Sequence, residues 1–188
     1  MPQLFYIVGA SGVGKDSLME YARLRINGSI PVLFAHRYIT RLPKEGSENH
    51  LYISPEEFRL RRDKGLFALH WVSHGLYYGI GREIDFWMEN GFNVVVNGSR
   101  QYLPVAIQRY PGLVTIVIEA DPEIIRRRLE SRGRETAADI EQRLQRQPDR
   151  WAGSSGRISI HNNGPLEEGG NALIAALAAP QQPILPAP

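Results

Sequence analysis

The sequence predicts an α/β fold built on a parallel sheet of about five strands, and three observations carry that expectation. Short apolar runs alternate with amphipathic segments along the chain. The first run ends in a glycine-rich turn that opens a helical segment. The 188 residues hold 43% hydrophobic and 22% charged side chains, which suits one compact domain with small insertions and opposes disorder or a fibrous architecture. Short apolar runs bounded by turns are how strands buried on both faces read, the habit of parallel sheets with helices between the strands.

In chain order, QLFYIV (3–8) is the first strand, stopped by Gly9. The segment DSLMEYARLRI places Leu18, Met19, Ala22 and Ile26 at helical spacing, and Asn27-Gly28 ends that helix. PVLFA (31–35) is a second strand. Residues 36–90 are less regular, but a helix starts at Ser54-Pro55-Glu56: Ser54 caps it, Pro55 fits the first turn and Glu57 closes a capping box. NVVVN (93–97) and VTIVIE (114–119) are again short apolar strands. Asp121-Pro122 leads from the latter into EIIRRRLESRG, a helix stopped by Gly133. Asp139 caps a short helix, DIEQRLQRQ, ended by Pro148, and a strand at Arg157–His161 and an alanine-rich helix at Asn171–Ala179 complete the pattern. From Pro180 the tail is too rich in proline to pack and is expected to be disordered.

No apolar run reaches the roughly 18 to 20 residues of a membrane-spanning helix. The opening MPQLFYIVGASG has no basic stretch before its apolar run, so it reads as a strand rather than a signal peptide. Without cysteine there is no disulfide framework, thiolate metal site or thiol nucleophile, and a cytoplasmic setting is expected. A net charge of +2 gives no reason to expect a nucleic-acid partner. The basic side is lopsided: apart from Lys15, Lys44 and Lys64 it is all arginine, through codon bias or because guanidinium forks grip phosphate in pairs.

The strongest motif is Gly9-Ala10-Ser11-Gly12-Val13-Gly14-Lys15, between a buried strand and an amphipathic helix. That is the context of a P-loop, whose glycines let several backbone N–H groups converge on one anion while the helix start adds its positive dipole end. Lys15 then reaches the β- and γ-phosphates of a nucleotide. The lysine directly after the third glycine, and the missing acidic residue after the second strand, oppose a dinucleotide-binding turn. After the lysine a P-loop normally carries Ser or Thr to bind Mg²⁺; here Asp16 stands there, with Ser17 next. A carboxylate is also a good ligand for a hard cation. Asp16 is thus either a Mg²⁺ ligand, direct or through water, or an acidic residue favouring the first helical turn.

GASGVGK, HRYITR (36–41), EGSENHLYISPEEF (45–58), LFALHWVSHGLYYGIG (66–81), GFNVVVNGSR (91–100) and RLESRGRE (128–135) follow the order and spacing of guanylate kinases, and the chain resembles that family over almost all of its length before Pro180. The resemblance implies a single P-loop kinase domain over 1–179: a core of 1–35, 91–125 and 151–179, an acceptor-binding insertion at 36–90 and an arginine-bearing lid at 126–150. It also implies transfer of the γ-phosphoryl of ATP to a phosphate acceptor.

Three positions that read guanine in that family are changed together. His70 stands for the acidic residue before the tryptophan, Ile80 for the Ser or Thr after the YYG motif, and Asn97 for the aspartate after the buried strand. A site that has lost hydrogen-bonding partners for a base loses discrimination by orders of magnitude, which makes GMP a poor acceptor. The anion-holding positions are kept or strengthened. Arg41 and Tyr78 match phosphate-binding residues, Lys44 replaces an arginine, His50 replaces a tyrosine, and Arg37 replaces a serine. Asn97 is left with two roles, a hydrogen bond to ribose hydroxyls or a satisfied loop amide. His70 and His74 are spaced as a metal pair, but with no carboxylate nearby a plain polar role or a contact to sugar hydroxyls is expected. Trp71 and Trp87 are expected in the core.

GKDS, AHRYITR, GSENH, GLYYG and VNGSR are similar to the spellings of the ribose 1,5-bisphosphate phosphokinases of phosphonate catabolism. The resemblance implies ATP and Mg²⁺ as cofactors, a phosphorylated sugar as acceptor and 5-phosphoribosyl 1-diphosphate as product. Arg132 and Arg143 match lid positions that clamp adenine and the transferring phosphoryl, with Arg128 as a third; Arg126 and Arg127 read as a solvated helix face. Residue chemistry alone reaches a kinase for a phosphate-bearing, base-free acceptor. Two alternatives remain open: a guanylate kinase, and a non-catalytic protein-binding module, which the intact glycine loop opposes. Oligomeric state is not legible.

Overall fold

The computed structural model describes residues 1–42, 49–132, 141 and 157–179. Its core is a five-stranded, all-parallel sheet of β1 (Leu4–Val8), β2 (Val32–Phe34), β7 (Asn93–Asn97), β8 (Val114–Glu119) and β9 (Arg157–His161), in the order β2-β7-β1-β8-β9. β1 lies in the middle, with Leu4–Ile7 in register with Val94–Asn97 and Phe5–Val8 with Val114–Val117. The five expected strands are thus present. The order reverses at β1, so the crevice beyond its carboxyl end is where a sheet of this topology binds ligands.

β1 is buried along its whole length because both faces are covered. Leu4, Tyr6 and Val8 pack with Val94, Val96, Leu103 and Ala106, beside helices α3 (Glu83–Glu89) and α4 (Leu103–Arg109). Phe5 and Ile7 pack on the other face with Leu18, Met19 and Ala22 of α1 (Lys15–Ile26) and with Leu173 and Leu177 of the last described helix, α6 (Leu166–Ala178).

The last helix starts earlier than the alanine-rich segment at Asn171–Ala179 suggests. Gly169 and Gly170 lie inside α6, where it crosses α1. A Cβ at Gly170 would lie 2.2 Å from the Tyr21 ring, and one at Gly169 3.0 Å from Leu18. The glycines therefore serve close helix packing rather than termination.

Residues 36–90 are more regular than their sequence suggests. They form a second sheet, β4-β3-β6-β5, from β3 (Arg37–Ile39), β4 (His50–Tyr52), β5 (Phe67–Ser73) and β6 (Leu76–Gly81), with α2 (Pro55–Asp63) packed on it. Ser54 Oγ accepts from the Glu57 N–H at 3.1 Å, the expected cap. β5 and β6 form a hairpin whose two turn residues, His74 and Gly75, have φ of 49° and 73°. Positive φ at both positions is the two-residue turn that matches strand twist. His70 and His74 accordingly sit on a strand and its turn, not on one helical face.

Helix α5 (Pro122–Arg132) follows β8 as expected and passes residue 126 without a break. The expected helix from Asp139 and the tail from Pro180 lie outside the described residues, apart from helical Glu141. No described helix is long and apolar enough to cross a membrane.

Candidate active site

The glycine loop occupies the crevice beyond β1. Gly12 and Gly14 have φ of 90° and 92°, a backbone region that strains any L side chain. Gly9 is required for space instead: a Cβ there would lie 2.4 Å from the Ile118 carbonyl oxygen. Lys15 Nζ donates to the Gly9 and Ala10 carbonyls at 2.9 and 3.0 Å, arching over the loop. No side chain caps α1, so its first N–H groups are left to meet an anion. Ser11 and Ser17 are exposed, while Val13 is buried.

Two further residues fasten this loop. The Val13 carbonyl accepts from Asn162 Nδ2 at 2.7 Å and from Arg128 Nη1 at 3.2 Å. Arg128, aligned by resemblance with the lid arginines, thus reaches the glycine loop itself. Asn162 was missed from the sequence. It follows β9 directly, is buried, and carries no motif that sets it apart from any loop amide. Another unforeseen tie runs from Tyr6, whose hydroxyl bonds the Ser99 carbonyl and N–H at 3.1 and 2.9 Å and pins the loop after β7.

The acceptor-side residues converge on one face of the small sheet. Arg37 pairs with His50 across β3 and β4, and Ile39 pairs with Tyr78 across β3 and β6, and directly paired residues share a face. The Arg37 guanidinium lies 5.9 Å from the Tyr78 ring. Tyr78 stacks parallel on Trp71 at 5.5 Å, and Trp71 in turn meets Tyr102 at 5.7 Å, so the tyrosine is braced against the core. Trp71 is buried and Trp87 packs on the same cluster, as expected. His50 is buried, with Nε2 3.3 Å from the carbonyl oxygen of half-buried Arg41.

This face meets the glycine loop through Asp16. One carboxylate oxygen, Oδ1, accepts from Asn97 Nδ2 at 2.6 Å and from Arg37 Nη2 at 3.4 Å. Helix α1, strand β3 and the end of β7 are brought together there. Asn97 is buried, gives one N–H of its amide to Asp16 and leaves its own Oδ1 without a hydrogen-bond partner, so it is not a fully satisfied loop amide.

Two of the three altered base-reading positions present no polar side chain on the face of Arg37 and Tyr78. Ile80 is fully buried in the apolar core. His70 pairs with Gly79, on the opposite face from Tyr78, and is exposed. Partial desolvation of the ring and then the Arg62 charge hold its imidazole below the ordinary histidine value. Lys44 and Arg143 lie outside the described residues, as does the side chain of Arg132. Among the described residues no group of three or more His, Asp or Glu could hold a metal ion.

No family model matches the chain. The ribose 1,5-bisphosphate phosphokinase PhnN of Desulfomicrobium baculatum is 54% identical over 173 residues, covering 92% of this chain and 92% of that protein. The chain belongs to the ribose 1,5-bisphosphate phosphokinase family. The family's member from Thiobacillus denitrificans is 50% identical over 177 residues, 94% of this chain and 93% of its own. Among solved structures, guanylate kinase from Anaplasma phagocytophilum has a TM-score of 0.64 at 18% identity, covering 94% of this chain and 84% of that one. At that identity the likeness establishes a shared P-loop kinase fold. This chain and that guanylate kinase therefore share an architecture.

Proposed function

We propose that this chain transfers the γ-phosphoryl of ATP to the 1-phosphate of ribose 1,5-bisphosphate, giving ADP and 5-phosphoribosyl 1-diphosphate in phosphonate catabolism. The observation that carries the proposal is a cationic face, Arg37 with Tyr78 and Arg41 with His50, that meets a P-loop and where neither buried Ile80 nor outward-facing His70 can read a base. Strong identity to named members of the family supports the same substrate.

The attacking phosphate oxygen is already anionic at neutral pH, so no general base is needed and catalysis is positioning and charge neutralisation. The loop amides from Gly9 to Gly14, with Lys15, hold the ATP phosphates. Arg37, Arg41, Lys44, His50 and Tyr78 hold the acceptor, and Arg132 and Arg143 neutralise charge on the transferring group. The Asp16 carboxylate and the unpartnered Asn97 carbonyl oxygen are adjacent hard donors next to Lys15, and they suit Mg²⁺ held jointly with nucleotide phosphates. When bound, the cation neutralises charge on the β- and γ-phosphates.

ADP release with ribose 1,5-bisphosphate and with GMP tests the acceptor. The bisphosphate is expected to win by about 10⁴-fold in kcat/KM, the scale on which sites built around particular polar partners discriminate. Equal turnover of GMP would make this a guanylate kinase, and turnover of neither would make it a binding module. Arg41→Ala should lower kcat/KM for the acceptor by about 10- to 100-fold, the scale of one charge-assisted hydrogen bond. ATP affinity measured by nucleotide titration should stay unchanged.

A further inference from the structure

Asp16 joins the nucleotide side of the site to the acceptor side through an ion pair with Arg37. Its Oδ1 reaches Arg37 Nη2 at 3.4 Å while Asn97 Nδ2 fixes the same oxygen at 2.6 Å. The two side chains come from different parts of the fold: Asp16 from the first turn of α1, Arg37 from β3 of the small sheet. The guanidinium side chain is only 13% exposed, so the carboxylate's charge reaches it weakly screened by water, whereas the Asp16 side chain is 41% exposed and open to another partner. Asp16 also follows Lys15 directly, within reach of a cation bound to nucleotide phosphates.

We infer that Asp16 is a positioning residue that couples the two substrates: its carboxylate offsets the charge of Arg37 and weakens acceptor binding until a nucleotide-bound cation draws the carboxylate away. This rests on the acceptor assignment above and adds a rule for the order of filling. A carboxylate beside an anion-binding arginine repels the incoming phosphate and competes for the same donors. Neutralising that carboxylate strengthens acceptor binding, and by linkage the acceptor strengthens Mg-nucleotide binding to the same degree. The Ser or Thr usual after the P-loop lysine carries no charge and could not act in this way.

The test is calorimetric titration of full-length protein with ribose 1,5-bisphosphate, first without nucleotide or metal. Asp16→Asn, which preserves shape, should bind about tenfold more tightly than wild type, a typical size for coupling between sites. In an Arg37→Ala background the same Asp16 change should have almost no effect, because the double-mutant cycle removes the pathway. With saturating Mg²⁺ and a non-hydrolysable ATP analogue, the gap between wild type and Asp16→Asn should close. Thermal melts of the variants confirm that each is folded. An acceptor affinity unmoved by Asp16→Asn, or moved equally with and without Arg37, overturns the inference while leaving the acceptor assignment standing. Failure of wild type to bind the bisphosphate, with or without nucleotide, overturns both.

Discussion

Lys15→Ala is expected to lower kcat by about 10²- to 10³-fold, the cost of deleting one preorganised electrostatic donor at a site of charge transfer. The Lys15 ammonium arches over the glycine loop and donates to the Gly9 and Ala10 carbonyls, and Lys15 lies outside the buried apolar core. Its removal therefore deletes a charge from the phosphate site without opening a cavity. Steady-state ADP release should fall while the thermal midpoint stays within a few degrees of wild type. Full turnover by the alanine variant would show that the glycine loop does not hold the phosphates being transferred. A large drop in melting temperature would show that Lys15 is structural instead.

Gly14→Val is expected to damage both stability and nucleotide binding. Gly14 lies at φ 92°, where a β-branched side chain is strained by about 1–3 kcal/mol. A Cβ there would also lie 2.5 Å from Asn162 Nδ2, displacing the amide that holds the Val13 carbonyl. Losing that hydrogen bond adds about 1 kcal/mol. In a chain of this size 1 kcal/mol moves the thermal midpoint by about 2–4 °C, so a fall of about 5–15 °C is expected. ATP binding should be lost even at temperatures where the variant remains folded, because the loop can no longer close on an anion. A variant that melted like wild type and bound ATP normally would contradict both the strained backbone and the Asn162 brace.

The two substitutions differ in what the loop needs. Lys15 supplies charge, and its loss opens no cavity in the core. Gly14 supplies the absence of a side chain, and a residue nearly 150 positions away depends on that absence. The same separation runs through the acceptor side. Arg37 was identified as an added cation from its place in the motif, but its pairing with Asp16 depends on β3 being brought against α1. Asn97 was left between a sugar contact and a loop amide. The structure places one N–H of its Nδ2 on Asp16 and leaves its Oδ1 unpaired.

By itself the sequence determined the five parallel strands, the phosphate loop and the cationic character of the acceptor side. Each of these is a local property: an uninterrupted apolar run reports a strand covered on both faces, and a glycine loop between strand and helix reports an anion site. Only the tertiary structure decided the small sheet, the true start of the last helix and the braces on the loop. Strands β3 and β4 are three residues long and half polar, so periodicity had too few positions to register. Gly169 and Gly170 precede the alanine-rich segment and join the helix where it packs closely on α1. Asn162, Arg128 and Asp16 acquire their partners across long chain separations, and such pairings follow from where the elements meet rather than from any pattern along the chain.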